Sequence, residues 1–126
     1  MHSSDIGLVG LAVMGENLVL NMESHGFRVS VYNRSTEKVE RFINGRAAGK
    51  NITGTYGLEE LVKSLDKPRK VMMLVKAGKP VDDLINNLIP LLEEGDIIID
   101  GGNSYYKDTI RRTELVEKQK LLYIGT

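Results

Sequence analysis

The sequence contains no cysteine, which removes a disulfide framework, a thiolate metal site and a cysteine nucleophile together. It carries no net charge: 17 lysines and arginines balance 17 aspartates and glutamates. No basic block marks a face for a phosphate backbone, so nucleic acid is not the expected partner. No run approaches the ~20 apolar residues of a membrane span. Met1-His2-Ser3-Ser4-Asp5 lacks the basic-then-apolar order of an export signal. A soluble, cytoplasmic protein with no membrane partner is expected. Also missing are a Ser/His/Asp order, a His/Cys/Asp/Glu set at metal spacing, and the Gly-Lys-Ser/Thr ending of a triphosphate loop, so neither a metal nor a hydrolytic triad is expected.

What is present alternates. Short β-branched runs at Ile6 to Val9, Arg28 to Tyr32, Lys70 to Val75, Asp96 to Asp100 and Leu121 to Ile124 are separated by stretches of helical spacing. That order predicts an α/β fold, a Rossmann-like doubly wound, mostly parallel sheet with helices on both faces. Val71 to Val75 and Ile97 to Ile99 are apolar on both sides, as central strands covered twice should be. Leu18, Val19 and Met22 form one helical stripe, Val39, Phe42 and Ile43 another, and Val81, Leu84, Ile85, Leu88 and Ile89 a third. Gly26 suits a left-handed helix end, Pro80 a helix start, and Pro90 a kink or stop. A weaker stripe of Ile110, Leu115 and Val116 predicts a helix over roughly residues 108 to 118. Residues 49 to 57 read equally as a loop or as a short strand before a helix over Leu58 to Leu65. At 126 residues the chain supports one core, hence one domain.

Directly after the first run stands Gly10-Leu11-Ala12-Val13-Met14-Gly15, a dinucleotide fingerprint with alanine in its middle position. Gly10 permits a tight turn, Ala12 lets backbone approach a pyrophosphate, and Gly15 lets helix and strand close up. The helix start then offers unpaired N–H groups to the anion. The competing reading is a turn that needs small residues only for packing; the place of the pattern after an apolar strand and before a helix favours the dinucleotide.

The second run ends in Asn33-Arg34-Ser35, where an NAD-binding domain would present an acid to the ribose hydroxyls. No acid is there. A carboxylate would repel a 2′-phosphate, whereas Arg34 can make a planar charge-assisted contact with one and Asn33 and Ser35 can add hydrogen bonds, so the expected cofactor is NADP. Against this, Ser35 or Thr36 can simply cap the next helix with Arg34 solvated. The later strands run out into Val75-Lys76-Ala77-Gly78 and Asp100-Gly101-Gly102-Asn103. Ligands of open α/β sheets lie outside such carboxyl ends, which places Lys76, Ala77 and Asn103 near the nicotinamide half. Taken singly, Lys76 also reads as a loop lysine and Asn103 as a turn residue. His25 is expected to serve a helix end and not a substrate.

Ile6-Gly7-Leu8-Val9 through Gly15, Asn33-Arg34-Ser35, Met73-Leu74-Val75-Lys76-Ala77-Gly78, and Asp96 through Ser104 together resemble the N-terminal domain of the 6-phosphogluconate dehydrogenase family, over the whole chain. The last two segments are the more specific, because related β-hydroxyacid dehydrogenases share the glycine fingerprint and usually differ there. The resemblance implies oxidative decarboxylation of 6-phosphogluconate to ribulose 5-phosphate, with NADP taking the hydride. It gives Gly10, Leu11, Ala12, Val13, Met14 and Gly15 to the pyrophosphate and adjoining groups, and Asn33, Arg34 and Ser35 to the 2′-phosphate side. Val75, Lys76 and Ala77 take the cofactor's middle, and Asn103 both cofactor and substrate. It further implies that residues 1–126 are an incomplete NADP-binding domain. The Ser-Gly-Gly substrate loop, the catalytic lysine and glutamate, and the helical domain of a cytoplasmic homodimer would lie beyond Thr126. The chain alone would then bind cofactor without turnover and expose apolar surface that later elements normally cover. Another β-hydroxyacid dehydrogenase, or a non-catalytic dinucleotide-sensing module, remain the alternatives.

Overall fold

A computed structural model describes residues 3–102 and 106–125. The elements run β1 (Ile6–Val9), α1 (Val13–Ser24), β2 (Val29–Tyr32), α2 (Thr36–Asn44), β3 (Ile52–Gly54), α3 (Leu58–Lys63), β4 (Lys70–Met73), α4 (Lys79–Leu88), β5 (Ile97–Asp100), α5 (Tyr106–Glu117) and β6 (Leu122–Gly125). The strands form one six-stranded sheet in the order β3-β2-β1-β4-β5-β6, and every named pairing is parallel. The ambiguous segment 49 to 57 therefore contains a strand, held by pairing with β2 in the register Val29↔Ile52. None of the described helices is long and apolar enough to cross a membrane.

Two apolar layers sandwich the sheet. On one face Val19 of α1 and Val39 and Phe42 of α2 bury Leu8, Val29 and Val31. On the other, Leu61 and Val62 of α3, Val81, Leu84, Ile85 and Leu88 of α4, and Val116 of α5 bury Val9, Val71, Met73 and Ile98. The three clear stripes thus do what their spacing predicts. Gly26 ends α1 at φ +94°, Pro80 stands in the first turn of α4, and the chain tightens into a 3₁₀ turn over Ile89–Leu91 at Pro90. His25 sits at the end of α1 with Nδ1 2.7 Å from the Asn21 carbonyl.

Four details depart from the sequence reading. β4 stops at Met73, because its neighbour β1 turns away at Gly10: Leu74 N–H still reaches the Val9 carbonyl at 2.8 Å, and Val75 then leaves the sheet. β2 starts at Val29, since Arg28 N–H goes to the Asp5 carboxylate at 2.8 Å instead of to a strand. The two-sided covering expected of β5 is only half met: Ile98 is fully buried, whereas Ile97 and Ile99 belong to neither core layer, and beside them on β6 Leu122 and Ile124 are about half exposed (51% and 48%). Finally, the weak stripe expected of α5 is met only at Val116. Arg112 and Val116 are buried while Ile110 and Leu115 are exposed, because this seam of the helix is organised by an ion pair.

Candidate functional site

The strand order reverses between β1 and β4, so their carboxyl ends diverge and leave a crevice. The parallel register sets Val9 level with both Tyr32 and Met73, which brings the residues after each of these strands to one rim. Gly10 follows β1 at φ +112°, a conformation that side chains disfavour. A Cβ there would also run into the Leu74 carbonyl oxygen, and one at Gly15 into the carbonyl oxygen of Gly10. The turn, the exit of β4 and the first turn of α1 are therefore stacked backbone on backbone. Ala12 is the extended N-cap residue of α1, and no side chain caps the helix. Its first-turn N–H groups are left for an anion, with the helix dipole behind them. Val13 and Met14 flank them almost bare, at 72% and 70% exposure. Glu16, the acid in this first turn, is paired with Arg46 at 2.9 Å.

Asn33 links this turn to the end of β2. Its Oδ1 accepts the Leu11 N–H at 2.8 Å and its Nδ2 donates to the Ser35 carbonyl at 3.1 Å. One donor and one lone pair of the amide are thus taken by the scaffold, and one of each remains. Arg34 is exposed on the same rim and forms no ion pair among the described residues. Ser35 occupies the N-cap position of α2, yet no side chain caps that helix either. The reading in which Ser35 or Thr36 serves only as a cap is not realised.

Of these groups Gly10, Asn33 and Arg34 border a cavity of about 600 Å³, lined further by Val9, Tyr32, Leu58, Val75 and an edge of α4 that includes Asp83, Leu84, Asn86 and Asn87. Apolar Tyr32, Leu58, Val75 and Leu84 provide walls for a flat ring, and Arg34 a cation at the mouth. A backbone cradle without side chains, an uncapped helix tip and a cavity of this size fit a dinucleotide. Lys76 and Ala77 stand exposed just past Val75. Asn103 lies outside the described residues. Leu58, Asp83, Asn86 and Asn87 carried no signal in the sequence, since α3 and the polar side of α4 look like ordinary solvated helix surface until the sheet brings them to the crevice.

The other polar group missed in sequence is Arg112. Wholly buried, it donates from Nε to Asp82 Oδ1 at 2.8 Å and from Nη2 to the Gly78 carbonyl at 3.1 Å. The Arg112 hydrogen bond, more than burial, sets the Asp82 carboxyl, holding it below the ordinary carboxylate range, and Arg111 adds to the effect. A folded pKa below the unfolded value of ~3.9 means that the stability from this group is complete above about pH 4 and is lost as the pH falls through the lower folded value. Asp82→Asn is expected to remove part of the acid sensitivity. Between about pH 5 and pH 2.5 its urea midpoint should fall less steeply than that of the parent protein, with the residual slope left to Asp5 and Glu93, whose carboxyls are also lowered. Identical slopes for the two proteins would show that Asp82 does not titrate in this way.

Comparison with known proteins agrees with the fold and with a dinucleotide cofactor. The family described as the NAD binding domain of 6-phosphogluconate dehydrogenase matches residues 5–126. The decarboxylating 6-phosphogluconate dehydrogenase of Dictyostelium discoideum is 62% identical over 122 residues, which is 97% of this chain and 25% of that protein. The enzyme of Treponema pallidum is 58% identical over 123 residues, 98% of this chain and 25% of that one. The solved 6-phosphogluconate dehydrogenase of Plasmodium falciparum, described in its apo form, with its cofactor NADP+ and with its substrate 6-phosphogluconate, superposes with a TM-score of 0.87 at 47% identity, covering 94% of this chain and 26% of that one. The chain thus spans about a quarter of the length of the curated relatives it matches.

Proposed function

This chain belongs to the family of NAD-binding domains of 6-phosphogluconate dehydrogenase, and from that premise we propose that it is the NADP-binding part of a decarboxylating enzyme of that kind. In this reading the complete protein oxidises 6-phosphogluconate to ribulose 5-phosphate and carbon dioxide in the pentose phosphate pathway, as a cytoplasmic homodimer whose helical domain and catalytic lysine and glutamate belong to the remaining three quarters of the relatives' length. The observation that carries the proposal is Arg34, an exposed cation without an ion-pair partner among the described residues, beside a glycine turn and an uncapped helix.

Bound NADP supplies the hydride acceptor; the residues of this chain bind and orient it. The N–H groups at the head of α1 receive the pyrophosphate, with Gly10, Ala12 and Gly15 keeping side chains out of its way. Val13 and Met14, both exposed, cover the adjoining groups, whereas Leu11 is buried in the core and backs the turn from beneath. Arg34 and Ser35 take the 2′-phosphate, and Asn33 holds the two turns together with one N–H to spare. Val75, Lys76 and Ala77 border the middle of the cofactor, and the resemblance gives Asn103, outside the described residues, to both cofactor and substrate. The residues after β5 would border the nicotinamide end of a cofactor held in this way, where a substrate bound by the rest of the enzyme could meet it.

The test is turnover by the product of the whole gene. It is expected to reduce NADP+ with 6-phosphogluconate and release carbon dioxide, whereas the 126-residue chain should bind NADP+ in a titration and catalyse nothing. Oxidation of a different β-hydroxy acid in preference to 6-phosphogluconate, or failure of this chain to bind NADP+, would defeat the proposal.

A further inference from the structure

The buried Arg112 lies on the face of α5 turned toward the connection that follows β4. We infer that Arg112 is a positioning residue for the cofactor, fixing the shape of the loop that carries Val75, Lys76 and Ala77; the inference rests on the dinucleotide reading given above. One guanidinium holds both ends of the loop's exit. Its Nη2 bonds the carbonyl of Gly78, the N-cap residue of α4, and its Nε bonds Asp82 in the first turn of that helix. Gly78 itself stands at φ +96°, which glycine adopts without strain but also without preference, so the direction in which the loop leaves Ala77 is set by the bond to its carbonyl and not by local sterics.

The reason to read this as positioning comes from the cost of burying charge. A guanidinium with no exposed surface gives up its hydration, and apolar residues of similar volume would commonly serve stability as well or better. What an apolar pair cannot do is bond a particular carbonyl. The anchorage is also local. The body of α4 is held independently by Val81, Leu84, Ile85 and Leu88, all in the core, so loosening Arg112 would release the loop without displacing the wall of the cavity beside Arg34. The same corner contains Tyr123, whose hydroxyl donates to Asp100 Oδ2 at 3.1 Å, while Asp100 Oδ1 accepts the Gly102 N–H at 3.0 Å. The exit of β5 is thus braced next to the exit of β4, on the rim where the nicotinamide half would pass.

Arg112→Lys keeps the charge but gives up the planar fork that serves Asp82 and Gly78 at once. The measurement is titration of two probes into the 126-residue chain: NADP+, which extends past the loop, and 2′,5′-ADP, which ends at the Arg34 side. Having to order three loop residues at the moment of binding is expected to weaken NADP+ by roughly 10-fold, with 2′,5′-ADP changed less than about 2-fold. Asp82→Asn retains the bond to Gly78, carries the same test if the lysine variant does not fold, and should show the same selectivity at about 3-fold. Parallel weakening of both probes, following the loss of thermal stability, would overturn the inference in favour of a purely structural ion pair, and so would unchanged binding of both. If the parent chain binds neither probe, it is the dinucleotide reading itself that fails.

Discussion

Replacing Arg34 by alanine is expected to weaken NADP+ by roughly 10- to 150-fold and to leave NAD+ nearly unchanged, the equivalent of one charge-assisted hydrogen bond of ~1.5–3 kcal/mol. The asymmetry follows from where the residue stands. Arg34 is exposed and without an ion-pair partner among the described residues, so its removal breaks no internal contact and should leave stability within about 0.5 kcal/mol of the parent. NAD+ has no 2′-phosphate for it to hold. Because the contact lies at an exposed rim, raising the salt concentration should narrow the difference between the two cofactors. Equal losses for NADP+ and NAD+ in titration calorimetry would show that Arg34 shapes the site in general and does not read the phosphate.

Gly10→Ala is expected to be the most damaging single methyl group that can be added near the site. The backbone at φ +112° costs a non-glycine residue on the order of 1–3 kcal/mol, and the new Cβ meets the carbonyl oxygen of Leu74, which cannot swing aside as a side chain could. Relieving that overlap by shifting the backbone costs about another 1–3 kcal/mol. Against a total stability of ~5–15 kcal/mol for a domain, the variant should lose a large part of its urea midpoint and all measurable cofactor binding. Gly57→Ala is the matched control. Its backbone is extended at φ −163° and an added Cβ there meets nothing within 4 Å, so the change should stay within about 1 kcal/mol even allowing for the N-cap position. Equal midpoints for the two alanine variants would mean that β1, the turn and the exit of β4 are not stacked as described.

The two effects have a common origin in how the rim is assembled. Gly10 and Gly15 remove side chains where three backbone segments meet, and Asn33 then bolts the glycine turn to the turn that carries Arg34. Under the proposed function, affinity for the diphosphate and preference for the 2′-phosphate would be coupled through this one amide, although different residues would supply them.

The sequence by itself determined the alternation of strands and helices, the parallel sheet, the glycine turn and the cation in place of an acid after the second strand. All of these are written in short-range order: apolar periods of two or between three and four residues, and small or charged residues at fixed offsets from a strand end. Tertiary structure alone decided that Asn33 is a strut, that Val75 has left its strand, that residues 52–54 pair with β2, that α3 and α4 wall the cavity, and that α5 buries an arginine beside Val116 while Ile110 and Leu115 stay exposed. The contacts responsible join residues 22 positions apart for Leu11 and Asn33, and 34 apart for Gly78 and Arg112. They are single polar bonds and strand registers, which repeat with no period and so become visible only when the sheet has brought their partners together.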